Sequence, residues 1–367
     1  MSNCAPFATS LLAAWVALAG LPSLADDIAA DASEAIQRNE QSSADTFTNP
    51  LLPSGPDPWT IYHEGMFYYI RSAGGGIVLM RTPDITQLRR AEKQVIWKAP
   101  PGTDHSKEIW APEIHYLRGK WYVYVAADDG QNANHRMFVL ENAAEDPFTG
   151  SFEVKSKLKT DAEDNWAIDG SVFEHAGELY FVWSGWAEPP TDSETQNIYI
   201  ARMADPWTID SERVLLSTPE LPWERHWEGL SRAVYVNEGP QILVHGSKMH
   251  IVYSASGCWT PDYALGLLTA DATADPMNPD AWTKSPQPVF QQSPERGVYG
   301  TGHNCFFKSP DGREDWILYH ANDNPEDGCG NKRSPRAQPF RWSDEDMPIF
   351  GKPVATSTPL KKPSGTP

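Results

Sequence analysis

Aromatic and β-branched residues alternate with polar ones through much of the chain, in short runs. Trp121, Val123 and Val125 fall on one side of an extended segment, the period-two mark of a strand with one buried face. Runs of this kind recur in five segments with a common layout: DPWTIYHEGMFYYIRS from Asp57, APEIHYLRGKWYVYVA from Ala111, DGSVFEHAGELYFVWSG from Asp169, EGPQILVHGSKMHIVYSA from Glu238 and GHNCFFKSPDGREDWILYHA from Gly302. Each opens on a short polar or Gly/Pro signature and continues as a brief apolar strand. A Gly-containing turn follows (HEG, RGK, AGE, GSK) and then an alternating strand. Such turns are hairpin chemistry.

After each hairpin comes a less regular strand pair, as in IVLMRTPDI, RMFVLENAAEDPF, IYIARMADPW and YALGLLTADATADPM. Several of these end in Asp-Pro, which suits a loop between strands. Four strands per repeat, repeated radially, are propeller blades. The pattern therefore predicts an all-β protein. Residues 47–356 are expected to form a single five-bladed β-propeller with four-stranded antiparallel blades around a central channel. Long helical periodicity is absent, which weighs against a TIM barrel or a doubly wound sheet. In a propeller the innermost strands line the channel, and their polar heads converge on one mouth. That places Asp57, Asp169 and Glu238 together at the heads of repeats one, three and four.

The flanks read differently. Leu11 to Leu18 is a short apolar run, LLAAWVAL, and Ser23-Leu24-Ala25 precedes Asp26 as a small-residue cleavage site. Residues 1–25 are expected to be an export signal. The first basic residue is Arg38, so a misassigned start or a membrane anchor stays open, although the run is short for a spanning helix. Residues 26–46 read as a flexible acidic leader, and 357–367 as a C-terminal tail.

Composition narrows the partners. The net charge of −19 repels phosphate backbones and anionic bilayers. Nucleic acid and membrane are therefore not expected, and a neutral polymer in a secreted setting, extracellular or periplasmic, suits the charge. A monomer is expected. Without Cys4, which lies in the signal, the chain keeps Cys258, Cys305 and Cys329, enough for one internal disulfide at most. Cys258 with Cys329 across a rim, or three buried thiols, are both compatible with the sequence. The spacings match no zinc pattern.

Carboxylates at a buried mouth are costly without a task. The signatures around them, Asp57-Pro58-Trp59, Trp110-Ala111-Pro112-Glu113, Ile168-Asp169-Gly170-Ser171, Asn237-Glu238-Gly239-Pro240 and Gly302-His303-Asn304, resemble glycoside hydrolase family 43 in order and spacing. The resemblance runs from about Asn49 to Val354. It implies a five-bladed, inverting enzyme acting on arabinofuranosides or xylosides. Asp57 would be the general base that activates water, and Glu238 the general acid that protonates the leaving oxygen. Asp169 would hold the acid and raise its pKa. An inverting pair needs one ionised and one protonated carboxyl, and a neighbouring negative charge keeps the acid protonated.

The same resemblance places Trp110, Trp59, Arg336 and His303 at the sugar. His303 would also touch a calcium or sodium ion in the channel, while the chemistry itself needs no cofactor. From the residues alone, Trp59 serves equally as blade packing, blade packing is also the alternative for Trp110, and a surface salt bridge is the alternative for Arg336. His303 serves equally as a metal-free core histidine, since calcium prefers oxygen ligands. Trp186, Glu188 and the stretch Trp223–Trp227 are rim candidates, and Glu113 reads as structural. The stretch from Ser254 to Phe290 resembles exo-acting α-L-arabinofuranosidases most. The expected substrate is terminal arabinofuranose on arabinan or arabinoxylan, in a plant polysaccharide or oligosaccharide. A β-xylosidase or endo-arabinanase of the same fold is the alternative, and a non-catalytic carbohydrate-binding propeller is the alternative of another class.

Overall fold

The computed structural model describes Met1, residues 45–187 and residues 194–367. The expected export signal, nearly all of the expected leader and Glu188 lie outside the described residues. Residues 47–367 form one compact unit of five antiparallel sheets. Blade one is Trp59–His63, Met66–Ala73, Gly76–Thr82 and Glu92–Lys98. Blade two is Lys107–Leu117, Lys120–Asp128, Arg136–Asn142 and Glu153–Leu158. Blade three is Ala167–His175, Glu178–Gly185 and Asn197–Asp205, its outer edge shared by Thr208–Ile209 and Val214–Ser217. Blade four is Asn237–His245, Lys248–Ala255, Ala264–Asp271 and Thr283–Lys284. Blade five is Tyr299–Lys308, Asp315–Asn322, Ser334–Trp342 and Pro348–Ile349. The helical segments among the described residues are short 3-10 turns. This is the predicted five-bladed propeller.

The alternation in the sequence predicted one buried face per strand. The structure buries both. Trp121, Val123 and Val125 pack with Ile70 and Ile77 of blade one. Tyr122, Tyr124 and Ala126, between them in sequence, pack with Phe181 and Trp183 of blade three. Blades three and four meet through Val182, Ile198, Ile251 and Tyr253, and blades four and five through Val252, Leu265, Ile317 and Tyr319. A blade therefore has two core faces, and its second strand must be apolar throughout, as the near-unbroken burial of Lys120–Asp128 shows.

The ring closes between blades five and one. Phe67 and Val78 share a core with Trp316 and Leu318. Asn49 binds both backbone groups of Ala337, donating to its carbonyl and accepting from its N–H, each at 2.9 Å. Leu51 N–H donates to the Pro335 carbonyl at 2.8 Å and Gly55 N–H to that of Arg333 at 3.0 Å. Residues 49–55 thus run beside 333–337 as blade one begins. Residues 357–367, expected as a tail, are held on the propeller. Leu360 packs on the closure core, Lys362 pairs with Asp84 at 3.0 Å, and the Ser364 hydroxyl donates to Asp311 at 2.6 Å.

One backbone device repeats at the mouth. Asp57, Ala111, Asp169, Gly239 and His303 all have φ between 42° and 55°. L-residues avoid this region, at a cost of about 1–3 kcal/mol each. In blades two to five the same place carries a register shift, between Trp110 and Glu113, Ile168 and Ser171, Glu238 and Gln241, and Gly302 and Cys305. Such bulges bend a strand and re-aim its side chains. Gly170, just past the kink, is forced by packing: a Cβ there would run into the buried ring of Phe181. Gly170→Ala should cost about 1–3 kcal/mol through overpacking, read as a fall of several degrees in thermal midpoint. An unchanged midpoint would show that the ring has room to move.

Candidate active site

The kinks aim Asp57, Asp169 and His303 into the channel mouth, where they line a cavity of about 480 Å³ with Glu238 and Arg333. All five blades contribute to its wall, including Trp110, Trp166, Trp186 and Trp259. Aligning the positive-φ residues shows that Glu238 is not the positional equivalent of Asp57 and Asp169. Gly239 is, and Glu238 stands one residue earlier, where blade two has Trp110. The space for this is tight, because a Cβ on Gly239 would lie 3.3 Å from His303 Nδ1.

Charge is divided sharply within the mouth. Asp57 accepts from Arg333 Nη1 at 2.7 Å, and His303 Nδ1 lies 3.2 Å from the same oxygen. Its backbone N–H donates to His320 Nδ1 at 3.2 Å. Burial alone would raise the Asp57 pKa, but Arg333 and His303 outweigh it, and the carboxyl is held far below the usual range. His320 is the reverse case. Burial, with the Arg333 charge added, pushes it down to about 3, so its ring is neutral. His303 goes up: burial opposes its charge, but Asp57, Asp169 and Glu238 together outweigh that.

The other two acids lack such a partner. Burial pushes Asp169 up to about 8, with the charges of Glu238 and Asp57 adding to the push against the opposing pull of His303. Burial also raises Glu238, against the pull of His303 and of the Tyr263 hydroxyl. Tyr263 Oη donates to Glu238 Oε1 at 2.7 Å, and Gly239 N–H donates to Asp169 Oδ2 at 3.2 Å. The mouth therefore sets a carboxylate held ionised on one side against two carboxyls whose hold on a proton is strengthened on the other. The ionisation of Asp169 and that of Glu238 oppose each other. The sequence has Asp169 keeping Glu238 protonated; in the structure burial raises both groups, and the charge of each opposes ionisation of the other.

The family model for glycosyl hydrolases family 43 matches residues 47–348. The chain belongs to this family. It is 37% identical over 326 residues to an extracellular exo-α-(1→5)-L-arabinofuranosidase of Streptomyces avermitilis, covering 86% of this chain and 66% of that one, just under two thirds. It is 39% identical over 279 residues to an enzyme of the same name from Streptomyces chartreusis, covering 75% of this chain and 82% of that one. Among solved structures, α-L-arabinofuranosidase from Lactobacillus brevis superposes with a TM-score of 0.78 at 34% identity, over 85% of this chain and 98% of that one.

Within this family 43 propeller the other expected residues separate. Trp110 lines the cavity, stacked on His135 at 3.9 Å and donating to Glu108 at 3.2 Å. Trp59 does not line it. Its indole donates to the Ile114 carbonyl at 2.9 Å and packs between two blade cores, which is the packing role. Arg336 is a correction. It is fully buried and bound to Asp323 at 2.8 Å, and the cavity takes Arg333 instead. Ser334–Trp342 starts at the mouth, so three residues carry Arg336 roughly 10 Å down the blade. Trp186 lines the cavity, stacked on Trp166 at 4.7 Å.

Glu224, in the expected rim stretch, is buried behind the acid. It binds Lys284 at 2.8 Å, Tyr253 at 2.9 Å and Asn237 at 3.1 Å. Asn237 also accepts from Ser217 at 2.7 Å and, through its carbonyl, from Ser184 at 2.9 Å. That network pins the residue before Glu238. Glu113 lies below the mouth, bridging Gln241 at 2.5 Å and His115 at 3.0 Å.

The side chains that could meet the expected calcium or sodium ion at the mouth are few. Asp169, Glu238 and His303 offer one ligand atom each within 4.8 Å of one another. Calcium takes six to eight oxygens, whereas these three side chains supply two oxygens and one nitrogen.

Arg333→Ala should raise the Asp57 pKa by about 1–3 units. With Asp57 as the ionised base proposed below, the acid limb of kcat/KM should move toward neutral pH by that amount. An acid limb that stays in place would remove Arg333 from the control of Asp57.

Proposed function

We propose that this protein is a secreted, inverting, exo-acting α-L-arabinofuranosidase that releases terminal arabinose from arabinan or arabinoxylan side chains. The observation that carries the reading is the charge division at the mouth. Asp57, paired with Arg333, stays ionised and takes a proton from water as the water oxygen bonds to the anomeric carbon. The bond to the leaving sugar breaks, and the leaving oxygen takes the proton of Glu238. Attack and departure on opposite faces invert the anomeric centre. Tyr263 fixes the acid by donating to Glu238 Oε1, which leaves the second oxygen for the proton in flight. A non-catalytic sugar binder has no use for this division of protons.

Support for arabinofuranose comes from the named relatives at 37% and 39% identity. Support for exo action comes from their names and from a cavity walled by all five blades, which suits a chain end better than a continuous polymer. The Trp110, Trp166, Trp186 and Trp259 rings offer flat apolar surface to sugar C–H faces. Among the described residues no helix is long and apolar enough to cross a membrane, and the relatives are named extracellular.

Digestion of linear arabinan should give monomeric arabinose as the first product, with the β-anomer appearing first by proton NMR. Arabino-oligosaccharides first would mean endo action; retained anomeric configuration would overturn the water-activating role of Asp57. Cleavage of the xyloside in preference to the arabinofuranoside would reassign the sugar. Glu238→Gln should lose about 10²–10⁴-fold on natural linkages and far less on 4-nitrophenyl arabinofuranoside, whose leaving group needs little protonation. Equal loss on both would remove Glu238 as the acid.

A further inference from the structure

Cys258 and Cys329 form a disulfide, while Cys305 is a buried free thiol. Both bridged residues line the catalytic cavity, together with Trp259, Asp57 and Arg333. They lie on two different blades, 71 residues apart. Cys258 follows the second strand of blade four, and Cys329 sits in the loop after the second strand of blade five, four residues before Arg333.

The two sides of the bridge are held differently. On blade four the backbone is tied down. Gly257 N–H donates to the His226 carbonyl at 2.9 Å, Thr260 N–H to that of Gly257 at 2.9 Å, and Trp259 Nε1 to that of Trp227 at 3.2 Å. On blade five, residues 323–332 are largely exposed. Their hydrogen bonds run within the loop or to blade five: Asn324 and Lys332 to Asp327, Asn322 to the Gly328 carbonyl, Arg336 to Asp323. Arg333 closes this loop, its carbonyl bound by Gly55 N–H at 3.0 Å, and its side chain must still carry the guanidinium to Asp57, 276 residues away in sequence, at 2.7 Å.

We propose that the Cys258–Cys329 disulfide is a positioning element of the active site. It anchors the exposed Arg333 loop of blade five to the rigid turn of blade four and so holds the guanidinium on Asp57. A misplacement of about 1 Å at a catalytic group costs up to about 10²-fold in rate, so a loop released from its cross-link is a kinetic loss even where the fold survives. The catalytic mouth is then complete only after oxidation. Chain kept in a reducing compartment works slowly, and the exported, oxidised chain works fully. This inference rests on the hydrolytic reading above, in which Asp57 acts as an ionised base.

The test is a double-mutant cycle on 4-nitrophenyl arabinofuranoside, run well below the thermal midpoints, with circular dichroism confirming the fold. C258S/C329S should lower kcat/KM by about 10-fold or more. Arg333→Ala should lower it at least as far, and the triple variant should be within about 2-fold of Arg333→Ala alone, because both changes remove one interaction. Full activity of the folded serine pair would overturn the proposal. So would losses that multiply, since the bridge would then act elsewhere, for example through Trp259. If the serine pair does not fold, the folded wild-type protein is reduced with dithiothreitol and alkylated, which leaves buried Cys305 untouched. Its kcat/KM should fall by the same factor while Arg333→Ala treated identically changes by less than about 2-fold; an unchanged wild-type rate sinks the idea. A wild-type protein inactive on the arabinofuranoside would instead overturn the functional reading, before any variant is compared.

Discussion

Three carboxylates share one mouth, and the Arg333 guanidinium, with His303 beside it, holds one of them ionised. Arg333 pairs with Asp57 at 2.7 Å and leaves Asp169 and Glu238 to the effect of burial. Without that pairing, burial would press on Asp57 as it does on the other two acids. With it, the mouth has a base and an acid side before any sugar arrives. Ring closure brings the two residues within reach of each other. Residues 49–55 run beside 333–337 through the bonds of Asn49, Leu51 and Gly55, so the chain delivers Asp57 to Arg333 as blade one begins.

The remaining side chains are set by the backbone. Five positive-φ residues, four of them at register shifts, turn the heads of the innermost strands inward. Their strain is borne by blades with apolar residues on both faces, so that each kink is clamped between two cores. The Glu224 network behind Asn237 does the same for the acid in polar terms. The side-chain amide and the carbonyl of Asn237 are all bound, and Glu238 starts from a fixed point.

Much of this was legible in the sequence because propellers repeat. The hairpin signature recurs at a regular interval, so blade number and the convergence of Asp57, Asp169 and Glu238 follow from pattern alone. The repeat did not reveal the one-residue offset of Glu238, since Glu238-Gly239 and Asp169-Gly170 look alike until φ is known. Nor did it separate Arg333 from Arg336, three residues apart at a strand head, where only the start of the strand decides which reaches the mouth. Trp59 has the composition of a sugar platform, yet its indole is spent on the Ile114 carbonyl. Tyr263 carried no signal of its own. A hint lay in Gly302, where a Cβ would strike the Tyr263 ring, but that is a statement about space and not about sequence.

The central claim is that burial and Arg333 drive Asp57 and Asp169 to opposite protonation states. It is tested most directly by carbon-13 NMR titration of the protein labelled at aspartate carboxyls, with Asp57→Asn and Asp169→Asn used for assignment. The account predicts one resonance, lost in Asp169→Asn, that titrates near pH 8. It predicts another, lost in Asp57→Asn, that stays ionised at acidities where ordinary aspartates, with pKa about 4, have taken up protons. Both resonances titrating together near pH 4 would contradict it.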